Sequence, residues 1–140
     1  RYGIDPSCVD VEITEASLVN AEEMMQSVLS ELSNRGICIS IDDFGTGFSS
    51  MNYIKKYPMS RLKIAKELID NIAKNDIDKD VVKSVIALAK NVELKTIAEG
   101  VEDETQLEIL RELGCDEVQG YLWGKPMSAE DFEKLIISAI

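Results

Sequence analysis

Two adjacent carboxylates, Asp42 and Asp43, are the residues of this sequence whose type and spacing most directly suggest chemistry. They follow the apolar run Ile37-Cys38-Ile39-Ser40-Ile41 and open the segment Asp42-Asp43-Phe44-Gly45-Thr46-Gly47. Neighbouring carboxylates raise each other's pKa unless cations keep both ionised, so the pair favours a divalent metal site. Asp and Gly also begin ordinary turns, and a plain turn is the alternative interpretation.

Further polar residues fall at the ends of other predicted strands. Apolar and β-branched runs predict five strands, which cover residues 8–13, 37–41, 61–65, 94–98 and 116–120. Each has a polar residue within it or directly after it, namely Glu12, the Asp42 and Asp43 pair, Lys63, Glu99 and Gln119. Strands that alternate with helices pair in parallel, so these residues converge on one edge of the sheet. In a (β/α)8 barrel, the carboxyl edge of the strands holds the active site.

The helices between the strands are predicted from their caps and stops. Asn20 can cap the first helix, which ends before Gly36, and Asp78 can cap the longest one. Asp103 and Gln106 have the spacing of a capping box. Further helical stretches are predicted around residues 51–57, 66–75 and 128–139.

The composition excludes several classes of function. Twenty-six acidic residues against 15 basic ones give a net charge of −11, which argues against a DNA-binding or RNA-binding surface. Histidine is absent, which excludes Ser-His and Cys-His nucleophilic pairs and the usual zinc sites. Any metal must therefore be held by oxygen ligands, which favours Mg²⁺ or Mn²⁺.

The three cysteines and the absence of a long apolar run predict a cytoplasmic protein. Cys8, Cys38 and Cys115 are widely spaced and lie in or beside apolar runs, so they are expected to be buried thiols and not a disulfide framework. The length and composition predict one globular domain.

Five sequence blocks resemble the EAL-domain cyclic di-GMP phosphodiesterases, in that family's order and spacing and over nearly the whole chain. The blocks are Glu12-Ile13-Thr14-Glu15, the run from Asp42 to Ser50, Leu62-Lys63-Ile64, the run from Ile97 to Glu102, and Gln119-Gly120-Tyr121 followed by Lys125-Pro126. The resemblance implies an α/β fold, a TIM-like (β/α)8 barrel of which residues 1–140 supply roughly the last five β/α units.

The resemblance also implies an activity and its cofactors. The expected reaction is hydrolysis of cyclic di-GMP to linear pGpG at a site with two Mg²⁺ or Mn²⁺ ions. Glu12, Asp42, Asp43 and Glu99 resemble the metal ligands, with Asp42 bridging both ions. Glu99 also resembles the residue that activates the water, and Lys63 the lysine that steadies it.

Supporting roles are implied for four further residues. Glu15 resembles the residue that holds the loop after Asp43 in shape, and Thr46 belongs to that loop. Glu102 and Gln119 resemble supports at the substrate pocket. In the alternative interpretation, the two glutamates cap a helix or lie on a solvent-exposed face, and Gln119 only forms hydrogen bonds with backbone groups. Tyr121 and Trp123 are expected to be packing residues and not base-stacking platforms.

Two departures from the family pattern shape the expectations. The family's Glu-Ala-Leu motif, whose glutamate is a metal ligand, is absent, and so is the asparagine of the next strand. These residues are therefore expected to be a partial domain that is inactive alone. Its open strand edges are expected to promote association. Ala65 stands where the family usually has an aspartate. Alanine cannot form the hydrogen bonds by which that aspartate would support the metal site. This favours an alternative function, a receptor that binds cyclic di-GMP without cutting it. Another divalent-metal barrel enzyme acting on a small acid is a third interpretation.

The family resemblance implies partners as well. Family members commonly dimerise near the loop after Asp43, so a homodimer is expected. An upstream sensory or GGDEF-type cyclase domain is a further expectation, and the parent protein could be tethered to a membrane through such segments.

Overall fold

The structure, a computed structural model, describes residues 3–14, 17–18, 23–45 and 51–139 and contains one parallel sheet of five strands. The strands are β1 (Asp10–Thr14), β2 (Cys38–Phe44), β3 (Arg61–Ile64), β4 (Lys95–Ala98) and β5 (Glu117–Val118). Their order in the sheet is β1-β2-β3-β4-β5, and every neighbouring pair is parallel. All five predicted strands are confirmed, with bounds that differ by up to three residues.

Besides residues 17–18, which are also helical, six α-helices lie among the described residues, after a short 3₁₀ turn at Pro6–Cys8. They are α1 (Glu23–Asn34), α2 (Met51–Lys56), α3 (Lys66–Ile69), α4 (Asp76–Asn91), α5 (Glu104–Leu113) and α6 (Ala129–Ala139). The capping box of Asp103 and Gln106 is confirmed at α5. The cap of α4 is Asn75, whose Oδ1 accepts a hydrogen bond from Ile77 N at 3.0 Å, so the prediction of Asp78 is wrong. The predicted cap Asn20 lies outside the described residues.

The two faces of the sheet differ in chemistry. One face carries Ile39, Ile41, Leu62 and Ile64, each at most 1% exposed, and these pack in one core with residues of α1, α4 and α5. Burial of each such side chain contributes about 1.5–3 kcal/mol to folding. The other face carries charged residues, including Asp10, Glu12, Asp42, Arg61 and Lys63.

The sequential strand order explains why the helices cover one face. Right-handed crossovers between consecutive parallel strands place every connecting helix on the same side of a sheet, as in a barrel wall. The architecture is therefore α/β with a five-stranded parallel sheet, consistent with part of a TIM-like barrel. None of the helices in the described ranges is both long enough and apolar enough to cross a membrane.

The cysteine prediction is wrong for Cys8, which is exposed. Cys8 ends the 3₁₀ turn before β1 instead of lying in the strand, so it does not take part in the buried alternation of the sheet. Cys38 and Cys115 are partly buried, and burial raises the pKa of the Cys115 thiol.

Asp116 gives the fold a dependence on pH. Thr96 N and Thr96 Oγ1 each donate a hydrogen bond to Asp116 Oδ2 at 2.8 Å, and these bonds hold the pKa of that carboxyl below its ordinary 3.8. Because the folded-state pKa is depressed, the stabilisation is present above about pH 4 and is lost as the pH falls through the folded-state value. We expect Asp116→Asn to lower the free energy of unfolding at pH 7 and to flatten its decline below pH 4 in urea titrations. Asp80→Asn, at an exposed position on α4, is the control; an unchanged acid slope in Asp116→Asn would contradict this prediction.

Candidate metal centre

Lys63 lies at the centre of a group of carboxylates near the carboxyl ends of the strands. Its side chain, on β3, is only 6% exposed. The Nζ atom lies 2.6 Å from Glu12 Oε1 on β1, 2.7 Å from Glu99 Oε1 after β4 and 3.0 Å from Asp42 Oδ1 on β2. The prediction that Lys63 is not an ordinary surface lysine is confirmed, and one ammonium joins segments from four strands.

The carboxylates keep Lys63 charged. Burial acts to lower the pKa of the ammonium, but the contacts with Glu12, Glu99 and Asp42 outweigh burial and hold the pKa above its ordinary 10.5. A buried cation therefore offsets the mutual repulsion of the surrounding carboxylates.

A β-bulge brings both aspartates to this site. Ile41 is opposite Leu62 and Phe44 is opposite Ile64, so Asp42 and Asp43 together face the single residue Lys63. Asp43 has a φ of +56°, in the left-handed region that few residues other than glycine adopt. Adjacent residues of a regular strand point to opposite faces, whereas a bulge re-aims the extra side chain. Both carboxylates can therefore serve one site.

Three carboxylates come close enough to share a cation. One oxygen each from Asp42, Asp43 and Glu99 lie within 4.8 Å of one another. Glu99 is held in place by its backbone N–H, which donates to Ile64 O at 3.1 Å. Within the described residues this group does not include Glu12, whose carboxylate is 50% exposed and contacts Lys63 instead.

The donor atoms of this group fit a hard divalent cation. All are carboxylate oxygens, which Mg²⁺, Mn²⁺ and Ca²⁺ prefer. Asp42 Oδ1 is buried, and the Lys63 ammonium lies 3.0 Å from it. A carboxylate has about four lone-pair sites, so Asp42 can bind a metal ion as well as the ammonium.

A cavity of about 240 Å³ is lined by Glu99 and by two of the predicted support residues, Glu102 and Gln119. Its lining residues are Lys66, Glu99, Gly100, Glu102, Gln119, Gly120 and Tyr121. Glu102 and Gln119 therefore line the same cavity as Glu99. Glu15 and Thr46 lie outside the described residues. Lys66 was not among the predicted site residues, although its position two residues after the end of β3 and four residues before Asp70 was a signal for it.

Tyr121 and Trp123, which are expected to be packing residues, lie at the surface and not in the core. Tyr121 is 55% exposed and Trp123 is 53% exposed. Both line a cavity of about 600 Å³ between the segment after β5 and α6. Lys125 Nζ lies 5.6 Å from the centre of the Tyr121 ring, within cation–π distance.

Gly120 allows the loop after β5 to lie against the loop after β4. A Cβ atom on Gly120 would lie 2.6 Å from the carbonyl carbon of Val101 and closer still to its nitrogen and oxygen. Val101 N donates to Gln119 O at 3.1 Å, and Leu122 N donates to Val101 O at 3.1 Å. The two loops that carry Glu99 and Gln119 are therefore in backbone contact.

We expect Gly120→Ala to lower the free energy of unfolding by about 2 kcal/mol, because the added methyl group meets backbone that must move. Urea denaturation measures the loss. Gly124→Ala is the matched control, since its added Cβ would meet the flexible end of Met127 at 3.2 Å. Equal stability of the two variants would show that the loops are not in the contact described.

Comparison with known proteins identifies relatives over nearly the whole chain. A family model described as "EAL domain" matches residues 1–126. The bifunctional diguanylate cyclase/cyclic di-GMP phosphodiesterase MucR of Pseudomonas aeruginosa is 43% identical over 130 residues, which are 93% of this chain and 19% of MucR.

The fold of this chain also resembles the folds of solved structures. The PaMucR phosphodiesterase in complex with cyclic di-GMP has a TM-score of 0.87 and 42% identity, and the match covers 94% of this chain and 53% of that one. A manganese and cyclic di-GMP complex of Klebsiella pneumoniae BlrP1 has a TM-score of 0.81 and 28% identity, covering 89% of this chain and 32% of that one. The chain thus spans less than a fifth of MucR and about half of the MucR phosphodiesterase structure.

Proposed function

This chain belongs to the EAL-domain family, and on that premise we propose that it supplies the metal-binding part of a cyclic di-GMP phosphodiesterase that produces linear pGpG. The observation that carries the proposal is the convergence of Asp42, Asp43 and Glu99 beside the buried Lys63. Three relatives of this chain are named cyclic di-GMP phosphodiesterases, and two solved structures of BlrP1 contain cyclic di-GMP together with manganese or calcium.

The proposed site takes two Mg²⁺ or Mn²⁺ ions. Asp42, Asp43 and Glu99 would hold the ions, and Glu12 would contribute from β1. Two divalent ions supply charge stabilisation for the attacking and leaving oxygens of an in-line displacement. A chain with a net charge of −11 would repel a nucleotide phosphate without such cations.

The protein's own residues position the water and receive its proton. The Lys63 ammonium orients the attacking water next to the Glu99 carboxylate, which lies 2.7 Å from Lys63 Nζ. As the water oxygen bonds to phosphorus, Glu99 accepts the proton and the bond from phosphorus to the 3′ oxygen breaks. The 3′ oxygen leaves as a hydroxyl after taking up a proton from solvent, Glu99 returns its proton to solvent, and the phosphate remains on the 5′ side of the linear product.

The five-stranded sheet supports the proposal that these residues form the carboxyl-terminal part of the EAL domain. The outer edges of β1 and β5 have no partner strand among the described residues. Open edges promote association, so this part of the domain is expected to be inactive alone and to oligomerise. In its parent protein we propose a homodimer in the cytoplasm, with an upstream sensory or GGDEF-type domain.

Ala65 favours a second candidate function, a receptor that binds cyclic di-GMP without hydrolysing it. Ala65 directly follows β3 and is fully buried, with no polar atom to support the neighbouring Lys63. Loss of such an outer partner typically lowers activity or metal affinity about 10- to 100-fold. If hydrolysis tolerates Ala65, the protein is an enzyme; if it does not, the protein only binds cyclic di-GMP.

The substitution Ala65→Asp tests which function holds. It should be made in the chain together with its natural upstream sequence, with Ala65→Asn as the control of equal size and no charge. We expect wild-type protein to release pGpG and Ala65→Asp to raise kcat by about 10-fold, with little gain in Ala65→Asn. Cyclic di-GMP that binds to the wild-type protein but is released intact, with hydrolysis only in Ala65→Asp, would establish the receptor instead.

A further inference from the structure

Lys66, a residue that the proposed mechanism does not use, links the segments that carry Lys63 and Glu99. It is the first residue of α3 and follows Lys63 by three positions. Its Nζ lies 2.7 Å from Glu102 Oε1 and 2.8 Å from Asp70 Oδ1. Glu102 belongs to the loop between β4 and α5 that begins at Glu99. The ion pair therefore joins the start of α3 to the loop that carries Glu99.

The aliphatic part of Lys66 packs over Gly100. A Cβ atom on Gly100 would lie 2.7 Å from Lys66 Cδ and 2.9 Å from Lys66 Cβ, and closer still to Lys66 Cγ. Gly100 also has a φ of +70°, which glycine adopts without strain. The backbone directly after Glu99 is thus in contact with the Lys66 stem, in addition to the ion pair at its tip.

Gln106 provides a second link between the same elements. This buried side chain donates from Nε2 to Ile69 O, at the end of α3, at 3.3 Å. Its Oε1 accepts a hydrogen bond from Glu102 N at 2.7 Å. Glu102 is therefore held through its backbone by Gln106 and through its side chain by Lys66.

We propose that Lys66 is a positioning residue for Glu99. By holding Gly100 and Glu102, it fixes the loop so that the Glu99 carboxylate stays beside Lys63 and within metal-binding distance of Asp42 and Asp43. Partners of this kind set the orientation of a ligand without touching the metal. The inference rests on the proposed function, because it concerns how Glu99 serves a metal site.

The test compares Lys66→Met and Lys66→Arg in the chain with its natural upstream sequence. Methionine keeps an unbranched stem over Gly100 and removes the charge, so the variant is expected to fold. Its Mn²⁺ dissociation constant, measured by calorimetry, should rise about 10-fold and its kcat should fall by a similar factor. At saturating Mn²⁺, KM for cyclic di-GMP should change by a smaller factor than kcat, because the proposed role of Lys66 acts through a metal ligand.

Two further measurements distinguish a positioning role of Lys66 from a general effect on the stability of the protein. The thermal midpoint of Lys66→Met should match that of Lys74→Met, an exposed control, because exposed ion pairs contribute little to stability. Lys66→Arg should retain the wild-type Mn²⁺ affinity, since a guanidinium can contact both Glu102 and Asp70.

The outcomes distinguish this inference from the proposed function. Wild-type protein that binds no Mn²⁺ would overturn both. Wild-type protein that binds Mn²⁺ while Lys66→Met binds it equally well would overturn the role of Lys66 alone. A Lys66→Arg variant as impaired as Lys66→Met would also overturn the role, because the ion pair would then not be what matters.

Discussion

Replacing Lys63 with methionine is expected to destabilise the metal-free protein by about 2 kcal/mol. The ammonium is the shared cation of Glu12, Asp42 and Glu99, and its removal leaves three carboxylates facing one another. The usual penalty for breaking a buried pair is larger, but Glu12 is half exposed and solvent screens part of the repulsion. Urea denaturation in the presence of a chelator measures the loss.

Added metal should reverse much of that loss. Mn²⁺ would replace the missing positive charge, so it should stabilise Lys63→Met more than it stabilises the wild-type protein. Lys95→Met, at an exposed position on the neighbouring β4, is the control and should change neither quantity appreciably. A Lys63→Met variant as stable as wild type without metal would show that the carboxylates do not depend on this lysine.

In contrast to Lys63→Met, Asp42→Asn should have a small effect on the free energy of unfolding and a large effect on metal affinity. Lys63 would still pair with Glu12 and Glu99, so the free energy of unfolding should fall by less than about 1 kcal/mol. Loss of one of the three carboxylates that would hold the ions should weaken Mn²⁺ binding by more than about 100-fold, beyond the effect typical of an outer partner. Calorimetric titration measures the affinity.

The control for Asp42→Asn is Asp10→Asn at the opposite edge of the same face. Asp10 accepts a hydrogen bond from Ser40 Oγ and pairs with Arg61 at 2.8 Å, so its loss should affect stability and leave Mn²⁺ affinity unchanged. Equal loss of Mn²⁺ affinity in both variants would mean that charge on the sheet face, and not the position of Asp42, determines binding.

The sequence was sufficient to predict where the site lies. Apolar runs identified five strands, and the polar residues at their carboxyl ends, such as Asp42, Lys63 and Glu99, meet at one edge because the strands are parallel. The Gln106 capping box was also predictable, since it depends on residues three positions apart in the chain.

What the sequence could not show depends on contacts between distant segments. The bulge that turns Asp43 toward Asp42 follows from the register between β2 and β3, which residue propensities do not specify. Lys66 lies over Gly100 only because α3 and the loop after β4 are neighbours in space. The stretch 66–75 is predicted to be helical, but it is an α-helix only over Lys66–Ile69.

The most direct test of the central claim, that this carboxylate group makes the chain part of a cyclic di-GMP phosphodiesterase, is a product assay. The chain with its natural upstream sequence is incubated with cyclic di-GMP and Mn²⁺ or Mg²⁺, and pGpG is followed by chromatography beside a Glu99→Ala variant. We predict that pGpG forms with metal, and that it is absent with a chelator and in Glu99→Ala. Cyclic di-GMP that remains intact with the wild-type protein, or pGpG formed equally well by Glu99→Ala, would contradict the account.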